Sequence, residues 1–287
     1  MTLGQAVVLG AVEGVTEYLP VSSTGHLLLA QRVMGIGKDV RGLAQAAEQT
    51  KAAADAYAIC IQAGAIIAVL GLYAGRVRQM ILGVAGRDAT GLRLLICIAG
   101  AFAPAAVFGF LLDDLIKRYL FGLWPVVAAW FAGGAAILLA DRYQHFRGSA
   151  AWLEGKSLEQ LGLKMALAIG LAQCIAMWPG VSRSLVTIVG GVVVGLSLPA
   201  AVEFSFLLGV VTLGAATGYD ALKHGQDMLQ MFPADSIFAG LVAAFVFAVL
   251  SIKWMVAYLS RHGMALFGYY RIALALVVGL FLAFGVL

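Results

Sequence analysis

The sequence predicts an all-α polytopic membrane protein with six transmembrane helices and two re-entrant helix hairpins. Three observations predict this fold class: an apolar composition, six long apolar stretches, and two apolar regions interrupted by polar residues. Of 287 residues, 62% are hydrophobic and 12% are charged, and the mean hydropathy is +0.95. Soluble globular proteins carry about a quarter charged residues. The charged residues are therefore too few to cover a soluble surface, and lipid must solvate much of the chain.

Six stretches are long and apolar enough to cross the hydrocarbon core of a bilayer, which takes about 20 residues of helix. Because lipid offers no partner for backbone N–H and C=O groups, these stretches are predicted to be helices rather than strands. Their approximate bounds are 55–75, 92–112, 122–140, 200–219, 236–258 and 267–287.

Two further apolar regions, 3–36 and 163–196, are interrupted near the middle by polar residues. The interruptions contain Pro20 in the first region and Pro179-Gly180 in the second. Pro and Gly end a helix and permit a turn. Non-helical backbone at membrane depth is tolerated only where protein or a water-filled cavity surrounds it. Both regions are therefore predicted to be re-entrant helix–turn–helix hairpins.

The two interrupted regions resemble each other, and each is followed by three predicted spans. An odd number of spans per half places the halves upside down relative to each other, as in transport folds whose site lies between broken helices at the midplane. The chain is therefore predicted to be an inverted-topology repeat, with one half at 1–150 and the other at 151–287. A shift of 160 positions superposes Gly10 on Gly170, Glu13 on Gln173, Tyr18 on Trp178, Val21 on Val181 and Ser22 on Ser182.

Charge in the predicted loops indicates the orientation. The 76–93 and 141–164 loops and the loop after 258 are basic, whereas the 220–235 loop is acidic. The positive-inside rule places the basic loops in the cytoplasm and, by parity, both termini outside. No run of Lys and Arg suggests a nucleic-acid partner. The basic residues are Arg76, Arg78, Arg87, Arg93, Arg142, Arg147, Lys156, Lys164, Arg261 and Arg271, and the acidic loop holds Asp220, Asp227 and Asp235 against Lys223.

The first interrupted region carries two carboxylates, Glu13 and Glu17, four residues apart and so on one helix face. Charge inside a membrane is costly and indicates function. The pair can hold Mg²⁺ or Ca²⁺, which prefer oxygen ligands, or one carboxylate can act as a general base. A solvated helix face near the surface is the alternative interpretation.

Three hydroxyl residues and a histidine follow: Ser22, Ser23, Thr24 and His26. Ser and Thr are ordinary helix caps, but capping accounts for only one of the three hydroxyls. His26 can be a nucleophile, a proton donor to the leaving group, or an interfacial histidine.

The second interrupted region predicts an anion site. A helix that starts near Ser182, Arg183 and Ser184 offers free N–H groups and the positive end of its dipole to a phosphate. The planar guanidinium of Arg183 suits phosphate oxygens, and Thr187 lies one turn further on. Alternatively, Arg183 only neutralises Glu13 or Glu17. Together the two hairpins hold the groups that phosphoryl transfer requires, since positioning and charge neutralisation supply most of that catalysis.

Three other polar residues are predicted to be structural. Gln62 and Glu203 are expected to hydrogen-bond a hairpin into place, and Arg271 to anchor its helix at the membrane interface.

At these motifs the sequence closely resembles the undecaprenyl pyrophosphate phosphatase family, which is also known for bacitracin resistance. The segments that carry the resemblance are 13–26 and 178–184 with Thr187, supported by 61–62, 203–208 and 270–271. The resemblance covers essentially the whole chain.

The resemblance implies hydrolysis of undecaprenyl pyrophosphate to the monophosphate carrier used in peptidoglycan synthesis, in the bacterial plasma membrane. It also implies a site that opens to the external face and depends on a divalent cation, Mg²⁺ or Ca²⁺. The expected partners are a polyprenyl pyrophosphate lipid and the bilayer, and a homodimer is left open. By position, Glu13 and Glu17 form the acidic pair with Ser23 and His26 beside them. Phosphate binding falls to Ser22, Thr24, Ser182, Arg183, Ser184 and Thr187, and the nucleophile is left open among Ser23, His26 and a water.

Two other functions compete. An acid-phosphatase-like lipid phosphatase needs a second histidine six residues after its arginine, and that position is Val189, so this alternative fails. A transporter or lipid flippase is favoured by the inverted repeat alone, but fold similarity does not determine function. A transporter does not require the hydroxyls, histidine and acidic pair together at a phosphate site.

Overall fold

The computed structural model describes residues 1–36, 44–147 and 154–286, and regular secondary structure in these ranges is helical. The predicted all-α class is thus confirmed. Within the described residues lie eleven α-helices and two short 3-10 helices, Leu158–Gln160 and Cys174–Met177. The α-helices are α1 (Leu3–Thr16), α2 (Ser23–Val33), α3 (Ala44–Leu72), α4 (Ala74–Val84), α5 (Ala89–Tyr119), α6 (Leu123–Arg147), α7 (Leu163–Gln173), α8 (Arg183–Val193), α9 (Leu198–Met231), α10 (Ala234–Leu259) and α11 (Ala265–Ala283).

Five of the six predicted spans correspond to single helices that are long and apolar enough to cross a membrane, in α5, α6, α9, α10 and α11. The sixth, predicted at 55–75, meets this description only as a pair, because α3 and α4 are bent by 80° at their junction. The 76–93 segment, predicted to be a loop, is therefore partly helical. Its arginines reduce the local hydropathy, but α4 keeps a helical backbone and packs against α5.

Several helices continue past the apolar stretches that predicted them. Helix α9 extends to Met231, so the prediction of a loop over 220–235 is wrong for most of its length. Hydropathy locates only the part of a helix that lipid solvates, whereas backbone hydrogen bonding continues into polar sequence. The predicted boundary between the halves, near residue 150, lies outside the described residues.

Both interrupted regions are broken helices. In the first, α1 gives way to a turn before α2 begins at Ser23; in the second, α7 and a 3-10 helix lead to a turn before α8 begins at Arg183. Helices α2 and α8 have eleven residues each, and their first residues are 160 positions apart, like the sequence repeat. The re-entrant position of these hairpins in a bilayer and the inverted relation of the halves remain predictions.

Each break contains a serine in a strained backbone conformation. Ser22 has φ 73° and Ser182 has φ 78°, and among the described residues these are the two non-glycine residues with positive φ. Such conformations cost about 1–3 kcal/mol each and persist only where the surroundings enforce them. The two serines lie where the chain turns into the second helix of each hairpin.

The first helix of each hairpin packs tightly against a long apolar helix. Helix α1 lies against α10, and α7 lies against α5. The crossings depend on Gly10 and Gly170, since a Cβ atom at either residue would collide with a main-chain carbonyl oxygen, that of Gly240 or of Ala101. These two glycines are themselves 160 positions apart. Close packing at both crossings holds the two breaks at defined positions.

Candidate active site

The two breaks meet at a cavity of about 260 Å³. Helices α3, α5 and α9 complete its wall. One part of the lining is apolar and small, with Ala105, Gly109 and Ala176. The polar lining residues are Glu17, Ser22, Ser23, Thr24, Gln62, Gln173, Ser182, Arg183 and Thr212. The structure thus brings together residues from both predicted motifs.

Glu17 lies at the centre of the polar contacts. Its Oε2 accepts a short hydrogen bond from the Ser23 hydroxyl and a longer one, 3.4 Å, from Gln62 Nε2. Its Oε1 pairs with Arg183 Nη2 at 3.2 Å, and the two side chains are only 5% and 10% exposed. The carboxylate therefore connects a hydroxyl from the first hairpin to a guanidinium from the second.

Arg183 is held on several sides. Its Nη1 donates to the Ser205 carbonyl at 2.9 Å, and its Cζ lies 5.5 Å from the centre of the Tyr18 ring. Gly209 leaves room for the guanidinium, since a Cβ there would lie 2.8 Å from Arg183 Cζ. These contacts orient a permanent positive charge at the cavity wall.

Glu13 lies beside Glu17 and Gln62 but does not line the cavity. The residue is fully buried, and neither carboxylate oxygen has a hydrogen-bond partner among the described residues. A buried carboxylate without partners is costly unless a proton or a cation neutralises it. Within the described part of the chain, no three His, Cys, Asp or Glu side chains are grouped to hold a metal. The cation predicted at the Glu13–Glu17 pair stays a prediction.

Two of the predicted phosphate-binding residues lie away from the cavity. Ser184 is fully buried and donates to the Leu19 carbonyl at 2.9 Å. Thr187 is also fully buried, and its hydroxyl contacts Ser205 Oγ at 2.6 Å. Both hydroxyls contact neighbouring segments and help to pack α8. Their predicted role in binding phosphate stays a prediction. Ser182, which does line the cavity, also caps α8 by accepting from the Leu185 N–H.

His26 contacts the first break rather than the cavity. Its Nδ1 lies 2.7 Å from the Ser22 carbonyl oxygen, and its Nε2 lies 2.8 Å from the Tyr270 hydroxyl. Because a carbonyl only accepts, Nδ1 carries the proton, and Nε2 of the neutral ring accepts from Tyr270. The ring also stacks on Tyr270, with 5.8 Å between centres and 6° between planes. Both nitrogens are therefore engaged, and His26 supports the strained backbone at Ser22.

The Arg271 side chain is enclosed by protein and does not face the surroundings, so the prediction that it anchors α11 at the membrane interface is wrong. The side chain is fully buried, although it carries a charge. Its guanidinium donates to the carbonyls of Pro20 at 3.1 Å and Gly180 at 2.8 Å, one in each break, and also to carbonyls of Ala129 and Trp130 in α6. Arg271 thus ties the two turns together. Its position inside a predicted span was the available signal, because charge within a span indicates an internal role.

The two residues that were predicted to hydrogen-bond a hairpin into place, Gln62 and Glu203, lie in different parts of the structure. Gln62 reaches the site, and its Oε1 accepts from Thr217 at 3.3 Å, which holds the amide toward Glu17. Glu203 lies elsewhere, paired with Arg76 at 2.8 Å, while Arg76 also pairs with Glu159 at 2.7 Å. The Arg76 guanidinium holds the pKa of the Glu159 carboxyl below its ordinary value. This cluster joins α4, α9 and the 3-10 helix before α7.

Gln173 and Thr212 also line the cavity, and neither was predicted to do so. Gln173 was the repeat counterpart of Glu13, which was a usable signal, whereas a single threonine in an apolar span carries none.

Known proteins are similar to this chain along nearly its whole length. The family profile described as Bacitracin resistance protein BacA matches residues 6–277. The chain is 43% identical over 275 residues to an undecaprenyl-diphosphatase of Sorangium cellulosum, covering 95% of this chain and 84% of that protein. It is 41% identical to undecaprenyl-diphosphatase 1 of Chromobacterium violaceum, covering 96% and 95%, and 39% identical to an undecaprenyl-diphosphatase of Nitrosomonas eutropha, covering 100% and 97%. With both motifs gathered at one cavity and similarity of this extent, the chain belongs to the bacitracin resistance protein BacA family.

Proposed function

We propose that this membrane protein hydrolyses undecaprenyl pyrophosphate to undecaprenyl phosphate and inorganic phosphate, which recycles the lipid carrier of peptidoglycan synthesis. The observation that carries the proposal is the contact of one carboxylate, Glu17, with both the Ser23 hydroxyl and the Arg183 guanidinium at the wall of the cavity. A hydroxyl beside a general base and a fixed positive charge are the parts that phosphoryl transfer needs. The relatives named above share this activity in their names.

Ser23 is the nucleophile in this proposal, and Glu17 is its general base. Glu17 takes the hydroxyl proton while Ser23 Oγ forms a bond to the terminal phosphorus. The bond from that phosphorus to the bridging oxygen breaks, and undecaprenyl phosphate leaves with the electron pair. Water then cleaves the phosphoserine, releasing phosphate and restoring the hydroxyl. Since both nitrogens of His26 are engaged at Ser22 and Tyr270, the histidine positions the turn and does not attack phosphorus.

Two helix N-termini support the binding of the pyrophosphate. Helix α2 begins at Ser23 and α8 begins at Arg183, and both residues line the cavity. The positive ends of the two helix dipoles add to the charge of Arg183. Ser22, Thr24 and Ser182 supply hydroxyls at the same wall.

A divalent cation, Mg²⁺ or Ca²⁺, fits the acidic pair. The two unpartnered oxygens of Glu13, beside Glu17, are hard, acceptor-only ligands of the type that these ions prefer. When bound, the cation would supply positive charge that offsets the charge of the pyrophosphate oxygens. Glu13 and Glu17 are the residues that would hold it.

The inverted-topology repeat and the external opening of the site belong to the same proposal. We count α3 with α4 as the sixth span, and we assign residues 1–150 and 151–287 to the two halves with a re-entrant hairpin in each. The matched crossings of α1 with α10 and of α7 with α5 support this arrangement, as do the equal lengths of α2 and α8. Ala105 and Gly109 line the cavity from the half of α5 that is farther from Arg87 and Arg93, which supports an opening away from the cytoplasm.

The test is release of phosphate from undecaprenyl pyrophosphate by the purified protein in detergent with Mg²⁺ or Ca²⁺. Ser23→Ala and Glu17→Gln are expected to lower the rate by about 10²-fold or more, since each removes a participant in the transfer. Chelation is expected to stop the reaction. Ser260→Ala, at an exposed position after α10, is the matched serine control and should retain the wild-type rate. If the folded wild-type protein releases no phosphate in detergent but moves the lipid between leaflets after reconstitution into vesicles, a transporter would replace the hydrolase.

A further inference from the structure

Gln173, the last residue of α7, has a buried amide in the cavity that the chemistry proposed above does not use. The side chain is 3% exposed and lines the same cavity as Glu17 and Arg183. Its Nε2 has no hydrogen-bond partner among the described residues. A buried N–H without an acceptor costs about 1–3 kcal/mol, and an apolar residue of similar length would avoid that cost.

Exchanging the positions of Oε1 and Nε2 in the Gln173 side chain does not remove the unpartnered donor. The amide's one described contact is Thr212 Oγ1, at 3.4 Å. That hydroxyl donates its proton to the Leu208 carbonyl at 2.9 Å, so it can only accept from Gln173. With Nε2 turned toward Thr212, one N–H is satisfied and the second is still free. At least one amide N–H therefore has no acceptor in either orientation.

A second buried donor in the cavity wall, Arg183 Nε, also has no hydrogen-bond partner among the described residues. Arg183 uses Nη1 on the Ser205 carbonyl and Nη2 on Glu17, but its Nε is buried and has no partner in the described part of the chain. Both donors belong to the second hairpin and to the wall of one cavity. Two unpartnered donors at one wall match a ligand that has several acceptor oxygens.

We propose that Gln173 is a substrate-binding residue whose amide N–H donates to a non-bridging oxygen of the pyrophosphate, next to the oxygens that Arg183 binds. This inference rests on the proposed function and names a further residue of the same site. Because the amide is neutral, it adds a directed donor without the cost of burying another charge. At the equivalent position of the first hairpin stands Glu13, so one half of the repeat places an acceptor and the other half a donor.

Gln173→Met tests the role, since methionine has a similar length and no donor. A hydrogen bond to a charged group contributes about 1.5–3 kcal/mol, so kcat/KM should fall by about 10- to 150-fold. The thermal stability of Gln173→Met should equal or exceed that of the wild type, because the unpartnered amide is gone. A structural role predicts the opposite, with lower stability. Gln79→Met, on α4 and outside the cavity, is the control for the substitution and should keep the wild-type kcat/KM.

Gln173→Glu separates the donor from the shape of the side chain. A glutamate keeps the size of the residue but brings negative charge toward the pyrophosphate, and its kcat/KM should fall further than that of Gln173→Met. A wild-type kcat/KM in Gln173→Met would overturn the inference.

Binding of inorganic pyrophosphate, followed as a shift in melting temperature with added Mg²⁺, makes the test independent of turnover. The apparent Kd of Gln173→Met should exceed that of the wild type by a similar factor. Equal values, or no stabilisation of the wild type by pyrophosphate, would overturn the inference. If pyrophosphate binds through Gln173 but wild type releases no phosphate from the lipid, the proposed function fails and the inference stands.

Discussion

Replacing Gly10 by alanine links the packing of α1 to the geometry of the site. A Cβ at this position would collide with the carbonyl oxygen of Gly240 in α10 and would lie 3.0 Å from the Cβ of Ala243. Non-bonded heavy atoms pack at about 3.5–4 Å, so α1 must move by on the order of 1 Å to accept the methyl group. Overpacking of this type costs about 1–3 kcal/mol, whereas Gly to Ala in a helix interior gains about 1 kcal/mol. We expect a net destabilisation of at most about 2 kcal/mol.

The effect on activity should be larger than the effect on stability. Glu17 follows α1 directly and must stay in contact with Ser23 and Arg183. A displacement of about 1 Å at a reacting group can cost about 10²-fold in rate. Phosphate release from undecaprenyl pyrophosphate and the melting temperature, measured on the same detergent-purified sample, compare the two effects.

Gly4→Ala is the matched control, because Gly4 lies in the same helix and a Cβ there would meet nothing within 4 Å. This variant should keep the wild-type rate and gain up to about 1 kcal/mol of stability. If Gly10→Ala shows the rate and the melting temperature of Gly4→Ala, the crossing of α1 and α10 does not position the carboxylate, and the packing argument is refuted.

Two further predictions concern His26 and Glu159. Tyr270→Phe removes the donor to His26 Nε2 but keeps the stacked ring. Because only one neutral hydrogen bond is lost, the rate of phosphate release should stay within about tenfold of wild type. A loss as large as that of Ser23→Ala would instead favour chemistry at His26. Because the pKa of Glu159 is held below its ordinary 4.5 by Arg76, the carboxylate stabilises the folded state above that pH, and this contribution is lost as the pH falls through the lowered pKa. The melting temperature of Glu159→Gln should therefore lie slightly below that of wild type at pH 7. The difference should shrink as the pH falls below 4.5 and disappear once the pH is below the lowered pKa of Glu159. A difference that persists at still lower pH would contradict the ion pair.

Sequence patterns located most of the site because its chemistry depends on rare residues. Carboxylates, an arginine and clustered hydroxyls inside apolar sequence are costly in lipid, so their presence in 3–36 and 163–196 already indicated function. Periodicity placed Glu13 and Glu17 on one face, and the repeat placed the two breaks in register. The helical extension of α9 beyond 219 was not predictable in the same way, because hydropathy reports solvation by lipid and says nothing about where backbone hydrogen bonding stops.

Local sequence patterns were sufficient to predict the helical membrane class, five of the spans and the two motifs, since each depends on local composition and on contacts within about one helical turn. Which polar groups face the cavity depends on the packing of the helices and became visible in the fold. Ser184 and Thr187 carry the same hydroxyl chemistry as Ser182, but they are buried against neighbouring segments and do not line the cavity. Arg271 lies far from both motifs in sequence, and folding places its guanidinium between the carbonyls of Pro20 and Gly180. Such contacts between distant segments depend on how the helices cross, which a residue pattern along one helix does not encode.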